Sequence, residues 1–334
     1  MQVKYRYMKK FSPLIFVFLA LIQGKHAMAQ DPEFTQFFAA PIYTNPAFAG
    51  AAINGRINLN YRMQWPSLPG TFRTFSGSYD EHFSSIGGGV GIIALQDVAG
   101  QGMLTTTTLA AIYSYNIEIN RYFNIKAGIE AQYFQRSIDF NKLRFPDQIE
   151  ARRGFVKPTS EPKPNTTIGV PNFAAGFVGY TNKFYFGAAV HNLTEPNQSF
   201  YKTPGAASNL PRRYTVHAGL VIPLTRSKYN ESSFSPNILF MRQREFTQVN
   251  LGFYVNKGPL VTGLWFRQTA PNTDAMMVLI GFRNKKNFKF GYSYDLTISE
   301  GRSALTGSHE LSCSIEWNKR SKRTRGRVLV CPKF

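Results

Sequence analysis

Charge is scarce in this chain. Only 17% of its 334 residues are Asp, Glu, Lys or Arg, against about 25% in an average globular domain. Two cysteines, Cys313 and Cys331, are too few for a disulfide scaffold and lack a metal-binding spacing. Beyond residue 29 no apolar run approaches the roughly 20 residues that a membrane-spanning helix needs. No His-Glu-x-x-His string occurs: His309-Glu310 begins one, but Cys stands at position 313, and the pair reads as solvated residues of a strand-lined interior. Gly89-Val90-Gly91-Ile92-Ile93-Ala94 spells a dinucleotide loop in letters only, because no helical pattern follows it. His191-Asn192 and His217 have no serine placed by a pattern to activate. These absences argue against metallohydrolase, nucleotide-dependent and serine-hydrolase chemistry, and no cofactor, metal or catalytic residue is expected. No solenoid-type repeat is visible.

What is present begins with an export signal. Lys4, Arg6, Lys9 and Lys10 form a basic start, Phe11 to Ile22 an apolar stretch, and Ala27-Met28-Ala29 a small-x-small cleavage site, so residues 1–29 read as a signal peptide. Met8 is an alternative start. The formal charge of +20 falls to about +15 on losing Lys4, Arg6, Lys9, Lys10 and Lys25. Much of the remainder is a basic tail at 319–334, with Lys319, Arg320, Lys322, Arg323, Arg325, Arg327 and Lys333. An exported chain seldom meets nucleic acid, so anionic lipid, an acidic partner or peptidoglycan-associated material is the expected counterpart.

The body, residues 55–318, alternates. Ile57, Leu59, Tyr61, Met63 and Trp65 oppose Arg56, Asn58, Asn60, Arg62 and Gln64. Ile125, Ala127, Ile129, Ala131 and Tyr133 oppose Asn124, Lys126, Gly128, Glu130 and Gln132. Phe288, Phe290, Tyr292 and Tyr294 oppose Lys289, Gly291, Ser293 and Asp295. Period two with charge confined to one face describes strands that are apolar outside and polar inside. A soluble sandwich shares that period. Aromatics near the segment ends (Trp65, Tyr113, Tyr115, Tyr133, Tyr294, Trp317) favour instead the girdles of a membrane barrel.

Fourteen strands are expected, near 55–65, 71–80, 87–96, 104–119, 121–136, 171–180, 183–192, 212–223, 235–244, 246–256, 259–268, 274–283, 287–297 and 307–317. The fold expected is therefore all-β, an outer-membrane transmembrane barrel of about 14 antiparallel strands embedded in the lipid bilayer. Arg56, Arg62, Lys126, Glu130, Arg213, His217, Lys289 and Asp295 should face its interior, with Glu310 and Glu316. Asn182-Lys183 and Asn284-Lys285-Lys286 would be periplasmic turns, and 139–170 and 194–211 outer loops. An even strand count would return both termini to the periplasm. Cys313 should face lipid with Leu311, Ile315 and Trp317.

Between leader and barrel lies an irregular segment, residues 30–54. Its stretch QDPEFTQFFAAPIYTNPAFAG, 30–50, packs Phe34, Phe37, Phe38, Tyr43 and Phe48 among Pro32, Pro41 and Pro46. The prolines forbid a continuous helix or an interior strand, yet the aromatics need burial. With Asn45 and Pro46, those aromatics are the candidate plug or partner-binding residues.

This stretch, with the terminal CPKF at 331–334 behind the basic tail, resembles the PorP/SprF family of type IX secretion and gliding-motility outer-membrane proteins. It departs from the usual spelling at Glu33 and Ala39-Ala40. The resemblance implies a non-enzymatic barrel. Its partners would be a large secreted surface adhesin, bound through a type B C-terminal sorting domain, and periplasmic or outer-membrane parts of the machinery. A general porin or hydrophobic-solute channel is the alternative on the same fold.

Overall fold

The structure is a computed structural model and describes residues 31–52, 55–161, 165–201, 208–225, 232–270, 273–284, 288–298 and 307–317. The signal peptide, the basic tail and Cys331 lie outside the described residues. The chain divides into two compact units, Met1–Asp31 and Pro32–Phe334, and all the secondary structure among the described residues belongs to the second.

Fourteen strands form one closed antiparallel barrel: β1 (Arg56–Gln64), β2 (Phe72–Phe83), β3 (Gly88–Ala99), β4 (Leu104–Asn120), β5 (Phe123–Ile138), β6 (Thr167–Tyr180), β7 (Phe184–His191), β8 (Arg213–Leu220), β9 (Ser232–Gln243), β10 (Phe246–Lys257), β11 (Leu260–Thr269), β12 (Thr273–Arg283), β13 (Phe288–Thr297) and β14 (Ser308–Glu316). Each strand pairs with its neighbours in sequence, and β14 closes on β1 with Arg56 opposite Glu316 and Gln64 opposite Ser308. Closure leaves no edge in the bilayer, where an unpaired backbone group would find no water.

The alternation read from the sequence has its cause in this wall. Leu59, Ile92, Leu109, Ile129, Val278, Ile280 and Phe290 stand exposed on the outside, while Asn58, Asn60, Arg62, Lys126 and Glu130 of the same sheet are buried inside. Tyr113, Tyr115 and Tyr133 are exposed on the outer face. Trp317 stacks on Tyr79 with ring centroids 5.8 Å apart. Cys313 is half-buried, between exposed Leu311 and Ile315.

Several elements depart from the sequence expectation. Trp65 does not continue the outer face of β1: the strand ends at Gln64, and Trp65 takes a left-handed φ of 52°. The long outer loop is shorter than 139–170, because β6 starts at Thr167 and carries Pro171 opposite Tyr133. The proline is tolerated because β6 pairs with β7 only over Ala175–Tyr180. Ahead of that stretch its missing N–H faces no paired strand and costs no ladder bond. The strand expected at 212–223 breaks after Leu220, and Ile222–Pro223 pairs separately with β9. His309 and Glu310 are not a solvated interior pair. As successive strand residues they point to opposite faces: Glu310 is buried inside, and His309 meets the outward Tyr292 hydroxyl at 2.8 Å. Nor is the inner face uniformly polar, since Ile93, Leu95, Ala110, Ile112, Phe134, Val178, Leu239, Trp265 and Met277 are buried there.

The two ends of the barrel differ. Four-residue or shorter connections join β2 to β3, β4 to β5, β6 to β7 and β10 to β11 at the end where Gly55 and Trp317 meet, Trp317 N donating to Gly55 O at 3.1 Å. The long connections, 139–166 and 192–212, lie at the other end.

An outward arginine tests the assignment of faces. Leu59→Arg, placed mid-strand on the outer face, is expected to lower the unfolding free energy in lipid vesicles by about 2–4 kcal/mol. Lys183→Arg on a turn should stay within about 0.5 kcal/mol. Denaturant midpoints of the two proteins measure the difference.

Candidate functional site

The interior is occupied by the chain itself. Residues 32–52 form a 3-10 turn at Phe37–Ala39, a short helix α1 at Pro41–Thr44 and a second 3-10 turn at Pro46–Phe48. Pro41 and Pro46 each open a turn, the position where a missing N–H costs nothing and a fixed φ helps. Asn45 caps the second turn by accepting from Ala47 N at 2.9 Å.

Toward the long-loop end, the segment meets a buried charge cluster. Thr35 N donates to Glu310 Oε2 at 2.6 Å and Gln36 N to Glu310 Oε1 at 3.1 Å. The Thr35 hydroxyl reaches Asp295 Oδ1 at 2.7 Å. Arg62 bridges Asp295 at 3.0 Å and Glu310 at 3.5 Å and also donates to the Thr35 hydroxyl. Arg267 lies 3.2 Å from Asp295 and 3.8 Å from Glu33, which accepts from Gln248 as well. Gln36 completes the set through Ser293, Ser312 and the Glu310 carbonyl. Two arginines thus face three carboxylates with little water, and the segment supplies the hydrogen bonds that such burial demands.

The aromatics of the segment are spent on the wall. Phe37 meets Trp265 edge-on at 5.3 Å, Phe38 meets Tyr254 at 5.3 Å, and Phe48 stacks on His217 at 5.1 Å. Phe34 packs against Tyr43, whose hydroxyl donates to Pro32 O, and the Arg213 guanidinium lies 5.0 Å over the Tyr43 ring. Asn45 is fully buried; its Nδ2 donates to the carbonyls of Phe177 and Ala188 at 3.0 and 3.2 Å and sits 3.0 Å from His217 Nε2.

At the other end, Ala49 O accepts from Lys126 Nζ and Ser114 Oγ, both at 2.7 Å. Gly50 N donates to Asp80 at 2.9 Å, and Arg56 forks onto the same carboxylate at 2.9 and 3.0 Å. Two wall glycines permit this approach. A Cβ at Gly89 would run into Ala49 O, and one at Gly128 into the backbone of Pro46 and Ala47. That is a glycine used for the closeness of two backbones.

Of the interior residues named from the sequence, Arg62, Lys126, Glu130, Arg213, His217 and Asp295 are buried, and Arg62, Lys126, Arg213, His217 and Asp295 touch the segment. Arg56 and Lys289 sit nearer the turn end, paired with Asp80 and Glu316, the latter at 3.0 Å. Sequence reasoning missed Thr35, Gln36, Asp80, Trp265 and Arg267. For Asp80 and Arg267 a signal existed, a charged residue on the inner phase of an alternating strand. Nothing in the spelling of Thr35-Gln36 marks them as partners of carboxylates 260–275 residues away.

A second feature lies in the 139–166 loop. Asp147 accepts from Ser160 N at 2.6 Å and from the hydroxyls of Thr159 and Ser160, holding its carboxyl below the usual carboxylate range. A ribbon pairs Ile149–Glu150 with Gly154–Phe155, Arg144 lies 5.6 Å over the Phe155 ring, and Phe140 packs on Phe145. So buttressed, the loop leaves Ile149, Arg152, Arg153, Phe155 and Val156 exposed. Large apolar side chains left exposed on a braced loop make it a candidate interaction surface.

Two substitutions probe the interior. Arg62→Met removes the cation paired with Glu310 and one of the two paired with Asp295, and breaking a buried pair costs about 3–5 kcal/mol; adding Glu310→Gln should recover part of the lost denaturant midpoint. Gly128→Val should dislodge residues 45–50, so that limited chymotrypsin, inert toward 34–48 in the native protein, now cuts there.

No curated protein sequence matches the chain. Among solved structures it is similar to the CymD monoaromatic hydrocarbon channel, at 10% identity and TM-score 0.49 over 85% of this chain and 94% of that one. It is also similar to the Acinetobacter baumannii outer membrane protein Omp33, at 9% identity and TM-score 0.45 over 80% and 100%. A Pseudomonas aeruginosa FadL homologue is similar at 13% identity and TM-score 0.41 over 84% and 94%. The family model of the type IX secretion system membrane protein PorP/SprF matches residues 27–315. The chain, an outer-membrane β-barrel closed around residues of its own N-terminal segment, belongs to the PorP/SprF family of type IX secretion system membrane proteins.

Proposed function

We propose that this barrel is a non-enzymatic docking platform that binds a large secreted surface adhesin through its C-terminal sorting domain, of type B, and anchors it or helps its export. The observation that carries the reading is the filled interior. Phe34, Phe37, Asn45 and Phe48 are buried against the wall, so the space a diffusion porin would leave to solute is used for packing. Recognition then falls to surfaces outside the membrane.

The braced 139–166 loop is the best placed of these. Arg and aromatic side chains dominate binding hot spots, and here Arg152 and Arg153 stand beside exposed Phe155, Val156 and Ile149. In this reading the long-loop end faces outward, and the short turns, Gly55 and Trp317 face the periplasm. The tail carrying Lys319, Arg320, Lys322, Arg323, Arg325 and Arg327 would there meet an acidic component of the machinery, with an affinity that falls as salt rises.

Capture in mild detergent tests the reading. The native chain should retain an adhesin sorting domain, and Arg152→Glu with Phe155→Asp should weaken retention at least tenfold, since each hot-spot loss is worth about 2 kcal/mol. Truncation after Asn318 should leave adhesin capture intact and reduce recovery of periplasmic components. Planar-bilayer conductance separates the porin alternative: a large steady pore from the native chain, unchanged on deleting 32–48, would contradict the platform.

A further inference from the structure

The contacts of the segment fall in an order along the barrel. Glu33 meets Gln248, the third residue of β10, and Arg267, third from the end of β11. Thr35 meets Asp295, third from the end of β13, Glu310, the third residue of β14, and Arg62, third from the end of β1. All five wall residues lie two steps from the long-loop end of their strands. Gln36 reaches two residues deeper, to Ser293 and Ser312. Tyr43 and Thr44 return to that end, at Arg213, which opens β8, and His191, which closes β7. Asn45 then descends to Phe177 and Ala188, Ala47 to Gly128, and Ala49 and Gly50 to Lys126, Asp80 and Gly89 near the turn end. From Gly55 the chain enters β1 at its turn-end residue, Arg56.

We infer that residues 32–50 are threaded lengthwise through the barrel, so that Pro32 stands at the long-loop mouth, opposite Gly55 and Trp317. A hatch folded in from the turn end would instead bring Glu33 and Thr35 back beside Gly50, and their strand-end partners preclude that.

Two consequences attend the threading. The segment cannot be withdrawn toward the turn end without drawing Pro32 to Gln36 through the interior and breaking the Glu310 and Asp295 bonds. Pro32 and Glu33 also share a mouth with the braced 139–166 loop, so a partner gripped there meets both. Placing that mouth on the cell surface rests on the orientation proposed above, while the threading does not.

Cysteine accessibility in the full chain tests it. In a background of Cys313→Ser and Cys331→Ser, three thiols are compared: one in a short Gly-Ser insertion directly ahead of Pro32, Lys157→Cys in the long loop, and Asn182→Cys in a turn. A membrane-impermeant maleimide is applied to intact cells, and again after the outer membrane is permeabilised. The insertion is expected to label under the same condition as Lys157→Cys, with Asn182→Cys in the other class. Labelling that tracks Asn182→Cys, or no labelling where Lys157→Cys reacts, overturns the threading. If Lys157→Cys and the insertion both react only after permeabilisation, the orientation fails and the threading stands.

Discussion

Glu310 and Asp295 lie inside the wall with almost no exposure, and a buried carboxylate must find cations and hydrogen-bond donors or lose several kcal/mol. Arg62 and Arg267 supply charge. The backbone N–H groups of Thr35 and Gln36 and the Thr35 hydroxyl supply the remaining bonds. Glu310 and Arg62 sit on β14 and β1, the last and first strands, whose pairing closes the barrel. The segment therefore bonds across the closing seam, and the wall's most demanding polar groups are satisfied by a part of the chain that is not wall. The rest of the interior depends on the same contacts. Once Thr35 and Gln36 are fixed, the aromatics meet two apolar clusters: Phe37 packs with Trp265 and Tyr254, Phe48 with Tyr185 and Ile93, and Phe38 against both.

Packing of this kind changes what the barrel can do. A wall lined by Asn, Arg and Glu around open water would conduct. Here many inner residues, Arg62, Lys126, Arg213 and Asp295 among them, pair with the segment, and apolar clusters of segment and wall residues lie beside them. That arrangement fits the recognition role proposed for this secretion-system barrel. The exposed side chains of the braced loop, Ile149, Phe155 and Val156, then need no lipid to explain them.

Strands were the legible part. Leu59 against Asn60 and Ile129 against Glu130 declare their faces, because lipid outside and protein inside impose opposite chemistry on alternate residues. Boundaries slipped where a local signal misled: Pro171 reads as loop but sits on a one-sided stretch of strand, and Trp65 reads as strand but turns away. The resemblance named the family, which the matched residues 27–315 bear out. Partners inside were not legible. Thr35 and Glu310 are 275 residues apart, and neither Gly89 nor Gly128 announces that a backbone will press against it. Such contacts are set by closure of the sheet, which no local pattern encodes.

The central claim is that residues 34–50 are a packed part of the barrel and bear its buried charge. Amide hydrogen exchange of the detergent-solubilised full chain measures this most directly. The amides of Thr35, Gln36, Ala47 and Gly50 should be protected to the level of the central strands. Exchange of those amides at the rate of an exposed linker, with the strands still protected, would contradict it.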